Sequence, residues 1–404
     1  MTLGKTRIAT ALSCTALVGS GLLVGCQSDG GAKPAAKPSA PAKPHGYVEG
    51  AEEAAEQQSR LALADAGTGA VRVLDLITED ITSLKGAGDV KGLRTDGRFA
   101  YLSNAEGTHV VDTGAWMVDH GDHVHYYRAK IRDVGPIAGR DTAFVHSDPT
   151  VTAVTSSKGD TQVFDRKKLE DGTVPRGRAL TGAGAGAVVP YQGHLLVTAA
   201  GSGQDAVEVR DRDGAQVTSL KEPCARVRGE AVTRRGVVFG CVDGALLVSE
   251  DKGKFTAEKI PYGKSVNASE RASAFRHRAG STTLVATSGD DAVWVLDVTD
   301  RSWTRVETGP VVAANSAGEG APLLVLGKDG ALTAFDIATK KRTARKELLP
   351  KGDASAVIEV DTTRAYVNDA TARKVYEIDY NDRLRLARTF PLDFAPTYMA
   401  ETGR

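Results

Sequence analysis

The chain carries no excess of either charge: 51 Lys and Arg balance 51 Asp and Glu across 404 residues. A global field of the kind that gathers nucleic acid or an anionic membrane surface is therefore excluded. Cysteine is sparse as well. Of the four, Cys14 and Cys26 lie in the first 26 residues, which leaves Cys224 and Cys241 for the folded part. Two thiols build neither a Cys₄ metal cage nor a disulfide-dense scaffold. Helical periodicity is scarce. There is no Gly-x-Ser-x-Gly elbow, and no Cys/His pair resembles a nucleophile arrangement, so catalysis has no positive support.

What is present begins with an address. Lys5 and Arg7 precede a small-residue apolar stretch, Ile8 to Gly25, and Leu23-Val24-Gly25-Cys26 reads as a bacterial lipobox. The stretch is too short and too rich in Gly and Ser for a transmembrane helix, and the polar Gln27–Gly30 after it fits cleavage. Residues 1–25 are thus expected to be a lipoprotein signal peptide. Cys26 would be the lipidated residue, and the mature protein would sit on the outer face of the cytoplasmic membrane. From Gly30 to His45 the chain is Gly, Ala, Lys, Pro and Ser, which cannot bury a core. Residues 26–50 read as an extended tether.

From residue 51 to 404 one pattern recurs: an apolar-alternating strand that ends in an acidic residue. Examples are Val71-Arg-Val-Leu-Asp75, Thr161-Gln-Val-Phe-Asp165, Val293-Trp-Val-Leu-Asp297 and Val375-Tyr-Glu-Ile-Asp379. The acidic ends fall at 75, 112, 165, 211, 250, 297, 336 and 379, about 43 residues apart on average. A 40–50-residue period with several strands and no helix is the signature of propeller blades. Most units carry an upstream partner strand, such as Phe99–Ser103 and Leu323–Leu326. The expected fold is all-β, a single β-propeller of eight blades, with seven the alternative and a pair of β-sandwiches the competing architecture. The first unit starts abruptly at Leu61, and the tail Pro396–Glu401 could supply its missing innermost strand, which would remove an aggregation-prone edge. Cys224 and Cys241, 17 apart and flanking a predicted hairpin, are expected to pair in an oxidising compartment, with a metal role the alternative. The closed loop would stabilise by about 3 kcal/mol.

The chemistry-bearing feature is Trp116-Met-Val-Asp-His-Gly-Asp-His-Val-His-Tyr-Tyr127. Residues 109–146 hold five of the eight histidines, where even spreading would give fewer than one. If His123 and His125 lie on a strand, the period of two puts them on one face, and Gly121 lets the chain turn so that His120 approaches it. Neutral imidazole is a common ligand for borderline metals, zinc above all. Asp122 could ligate directly, Asp119 could orient an imidazole, and His146 is a further candidate. The alternative is a polar loop that carries its histidines by chance. Three other signals have plainer readings. Gly182-Ala-Gly184-Ala-Gly186 lacks a strand–helix setting and reads as an inter-blade loop, not a phosphate cradle. His194 and His277 read as packed or exposed histidines. Arg226, Arg228, Arg234 and Arg235 read as one solvated face.

The run of blades together with Val118-Asp-His-Gly-Asp-His123 resembles the AztD-type zinc metallochaperones, secreted propellers that hand zinc to the solute-binding protein of an ABC importer. Arg60–Asp65 with Val73–Asp75, Ala187–Pro190 and Gly229–Ala231 also match. In that family, histidines that contribute to zinc binding precede the last two segments; Gly184-Ala185 and Arg228 stand there instead. Near Phe144–Asp148 the family has two histidines and this chain only His146. The resemblance therefore implies a metal role for His120 and His123 alone, while His125 and His146 rest on spacing. It implies zinc as the ion and a zinc importer's solute-binding protein as the partner; the chain itself is expected to be a non-catalytic monomer. A protein-interaction scaffold at the cell envelope is the alternative function, and a lactonase- or dehydrogenase-like propeller enzyme the third.

Overall fold

The computed structural model describes residues 48–121, 123–139, 141–199 and 206–404. The expected signal peptide, Cys26 and most of the expected tether lie outside the described residues, as does Asp122.

The recurring strand of the sequence pattern occupies the same place in every unit. In Arg364–Asp369, Lys374–Asp379 and Arg385–Pro391, for example, each strand pairs antiparallel with the next, and Ile358–Val360 adds the fourth, on the other side of Arg364–Asp369. Among the described residues seven such four-stranded sheets form, consistent with a β-propeller. An eighth sheet, Thr283–Ser288, Ala292–Asp297 and Ser302–Glu307, has three strands and a single bridge from Arg276 to Val285 where a fourth would lie.

Both faces of the second and third strands of each sheet are largely buried, which is why they read as short apolar runs, while outermost strands such as Gln216–Ser219 are exposed. In Arg60–Ala64 all five residues are buried. Leu61 and Leu63 pack with Tyr366, Val375 and Phe390 of the last sheet, while Ala62 and Ala64 pack with Leu93, Ala100 and Leu102 of the next. Alternation by two thus serves two neighbours at once. The same holds from sheet to sheet: apolar clusters join each to its successor, and the last joins the first.

Closure uses the strand expected of it. Tyr398–Thr402 pairs antiparallel with Arg60–Ala64, Met399 opposite Leu63 and Glu401 opposite Leu61. Cys224 and Cys241 are bonded and fully buried, within the cluster formed by Val189, Val209, Phe239 and Leu246. The glycine run at 182–186 is not a loop throughout: Ala183–Tyr191 is an innermost strand with a register shift between Ala183 and Val188. A Cβ on Gly186 would stand 2.4 Å from Thr198 Oγ1, so the glycine there lets two strands approach.

A smaller three-stranded sheet departs from the repeat. Ala115–Asp119 and Val124–Arg128 form a hairpin, and Glu52–Ala54 adds a third strand along Val124–Arg128. The hairpin is inserted between the third and fourth strands of the sheet Gly92–Ala138.

Candidate metal centre

Register decides what the hairpin presents. Trp116 lies opposite Tyr127 and Val118 opposite His125. The His120 N–H donates to the His123 carbonyl at 2.9 Å, extending the ladder by one pair. Directly opposed residues share a face, so one side of the ribbon reads Trp116, Val118, His120 against Tyr127, His125, His123. Its base is apolar. Trp116 and Tyr127 stack with centroids 5.4 Å apart, and Val48 is buried against them. The Arg98 guanidinium, which is buried and bridged to Asp112, lies 3.7 Å over the Trp116 ring. A cation held over an indole face fixes the root of the ribbon.

At the tip, Gly121 takes φ +89°, the left-handed region that glycine enters without penalty. The turn brings three imidazoles together: ring centroids are 4.9 Å apart for His120–His123 and His123–His125, and 5.3 Å for His120–His125. One ligand nitrogen from each lies within 4.8 Å of the others. Nitrogens about 2.0–2.1 Å from a tetrahedral ion would stand roughly 3.4 Å apart. The exposed side chains of His120 and His123 need to close by little more than an ångström. The donor set therefore fits zinc with a position left open.

Of the other expected members, Asp119 sits at the tip but serves the fold of the loop. Its Oδ1 accepts from the Gly121 N–H at 2.8 Å, and its Oδ2 meets Arg234 Nη2 at 2.9 Å. That contact seats the tip on the turn after Glu230–Thr233, a strand lining the central cavity. His146 belongs elsewhere. It lies on a different sheet, in Phe144–Ser147, with Nε2 3.0 Å from Glu230 Oε1 in the cavity wall. Spacing placed it near the triad only because the hairpin and the strand Arg132–Ala138 intervene within a short stretch of chain.

Sequence reading missed Glu53. Its Oε1 is 2.6 Å from His125 Nδ1, across the third strand of the ribbon. Glu53 is 72 positions upstream, in a stretch adjoining the tether, and no spacing rule connects the two. A carboxylate that accepts from Nδ1–H leaves Nε2 to face an ion and raises its basicity.

The cavity along the middle of the ring has a volume of about 1170 Å³ and is lined by innermost strands, including the segments around His146, Ala187 and Glu230. His277 lines it too, with Nε2 3.2 Å from the Val232 carbonyl oxygen. Burial, with Arg404 and Arg278 nearby, pushes its imidazole down to about 4, although the Val232 carbonyl opposes this. His277 is therefore neutral at physiological pH, and its nitrogen toward Val232 is the protonated one.

The structure thus sets three histidines whose ring nitrogens could hold a metal ion on a hairpin grafted to a fold of the propeller kind. Two solved structures share that fold over nearly their whole length. Citrobacter koseri AztD superposes with a TM-score of 0.71 at 17% identity, covering 86% of this chain and 98% of that one. The structure of apo AztD from Citrobacter koseri gives 0.70 at 16% identity, with 85% and 98% covered. Dihydro-heme d1 dehydrogenase NirN in complex with DHE is more distant, at 0.55 and 14% identity, with 85% and 75% covered. At these identities the likeness is one of fold. No protein-family model matches the sequence, and no curated protein matches it either.

Proposed function

We propose that this protein is an eight-bladed, lipid-anchored propeller that binds zinc outside the cytoplasmic membrane and passes it to the solute-binding protein of a zinc ABC importer. The observation that carries the reading is the convergence of His120, His123 and His125 on one face of a protruding hairpin, with Glu53 holding His125. Eight blades follow if the sheet of 283–307 counts with its bridged edge at Arg276 as the eighth, and the ribbon as an insertion. The AztD-like fold and the lipobox at Leu23–Cys26 support the setting.

The chemistry suits delivery. A closed Cys₄ cage holds zinc with no position open, whereas three imidazoles, two of them exposed, leave a coordination site for an acceptor's ligand. An acceptor can then bind the ion before the donor lets go, so exchange needs no free zinc. The ribbon's role is mechanical: its apolar base is fixed, and its tip stands where another protein can reach it. The reading involves no catalysis.

Zinc titration of the purified protein tests the binding. Replacing His120, His123 and His125 together by Ala should abolish it, while His194→Ala should leave it intact. Transfer is tested by mixing zinc-loaded protein with the solute-binding protein and following the rate. The rate should rise with acceptor concentration. A rate independent of acceptor means that the ion dissociates freely, and delivery is then wrong even if binding stands.

A further inference from the structure

The four arginines that read as one basic face are split by the strand Glu230–Thr233, which is roughly 13 Å long. Arg234 lies at one end, engaged with Asp119. Arg226 and Arg228 lie at the other end, where the fold adds a third guanidinium, that of Arg271. Arg271 is only 4% exposed, yet among the described residues it has no carboxylate partner. Its Nη2 donates to the Arg226 carbonyl at 2.8 Å, and its buried Nε has no hydrogen-bond partner among the described residues.

Neither Arg226 nor Arg228 forms an ion pair among the described residues, although both side chains are exposed. Arg226 holds φ +50°, a strained conformation for a residue with a Cβ. The carboxylate that acts on Arg271, Asp243, is engaged by Lys259 at 2.7 Å. Burial and the neighbouring Arg228 hold the Arg271 guanidinium below its ordinary value. Like charges gathered without a counter-ion, one of them desolvated, raise the free energy of the unliganded state. An oxyanion relieves it, because guanidinium N–H groups match the oxygens of phosphate in geometry and charge. Arg228 also lines the central cavity, and the Arg226 side chain is exposed, so a ligand can reach the cluster.

We propose that Arg226, Arg228 and Arg271 form an oxyanion site for a phosphate group, carried by free phosphate or by a phospholipid headgroup. The site is independent of the zinc reading, since it lies at the far end of the strand from the turn on which the histidine hairpin rests.

The test uses the metal-free full chain, without lipid modification, at constant ionic strength. Calorimetric titration with inorganic phosphate should show saturable binding that weakens as salt rises. Arg226→Ala and Arg228→Ala are exposed changes that should not disturb folding. Each should weaken binding about tenfold or more, as expected for loss of one charge-assisted contact, and the double variant should abolish it. Arg385→Ala, in an outermost strand, should bind as wild type. A second arm measures co-sedimentation with phosphatidylglycerol vesicles against phosphatidylcholine vesicles. Phosphate binding without vesicle binding assigns a free oxyanion, and vesicle binding lost in the double variant assigns a headgroup. Absence of both, or equal affinity in wild type and double variant, overturns the site.

Discussion

Glu53 Oε1 lies 2.6 Å from His125 Nδ1, and this contact ties the first strand after the expected tether to the candidate metal ligands. The pairing of Glu52–Ala54 with Tyr126–Arg128 puts Glu53 opposite Tyr127, on the imidazole face, while Glu52 reaches Arg128 on the other. The carboxylate therefore selects the tautomer of His125 and fixes its ring.

Removing that carboxylate should weaken zinc binding without unfolding the protein. Glu53→Ala should lower zinc affinity about 10–100-fold, the usual effect of losing a carboxylate behind a ligating histidine. Glu53→Gln keeps an oxygen that accepts from Nδ1–H and should fall between. In all three proteins affinity should drop as the pH is lowered, because a protonated imidazole has no lone pair to offer an ion. Wild-type affinity in Glu53→Ala would show that His125 needs no orienting group.

A second buried carboxyl gives a stability prediction. Glu401, in the closing strand, is 1% exposed; burial pushes it up to about 8, Asp361 and Glu359 add to the rise, and Arg404 and Ser59 oppose it. An unfolded chain would release this proton near the ordinary value of 4.5. Between those two values the folded state binds the proton and the unfolded state does not. Stability from this group is thus fully present below about 4.5 and is lost as pH rises toward 8, at about 1.4 kcal/mol per unit at most. Glu401→Gln keeps the oxygen that accepts from the Ser59 hydroxyl and removes the titration. Its melting temperature should match wild type near pH 4 and exceed it increasingly toward pH 8. A constant gap across that range would show that Glu401 is ionised in the fold.

The blades were legible because the third strand of each sheet is largely buried on both faces and ends in a residue with a turn to cap. Asp75 Oδ1 accepts from the N–H groups of Ile77 and Thr78, and Asp297 Oδ1 from those of Thr299 and Asp300. Short acidic side chains fold back on their own turn in this way, which is why the acidic ends recurred at blade period. The triad was legible for an equally local reason, a period of two and one glycine. Contacts between distant segments were not. Glu53 with His125, Asp119 with Arg234, and Arg271 beside Arg226 depend on which sheets the ring brings together. His146 stands outside the triad for the same reason, since residues close along the chain can fall in different sheets.

Ring closure rests on five residues at the end of the chain and is the place to test the architecture. Tyr398–Thr402 covers Arg60–Ala64, and Met399, Ala400, Glu401 and Thr402 are all buried there. A chain ending at Pro396 would leave Arg60–Ala64 as an edge strand with Leu61 and Leu63 partly uncovered, a template for pairing with other molecules. Lost ladder bonds and uncovered apolar surface together amount to on the order of 5 kcal/mol, comparable to the whole stability of many domains. The truncated protein should melt well below the full chain, bind a hydrophobic dye and aggregate as concentration rises. Adding the missing segment, residues 397–404, as a peptide should restore part of the melting temperature, because the exposed strand still offers its register. A truncated protein that is monomeric with the melting temperature of the full chain would mean that the strand decorates a ring already closed by its apolar clusters.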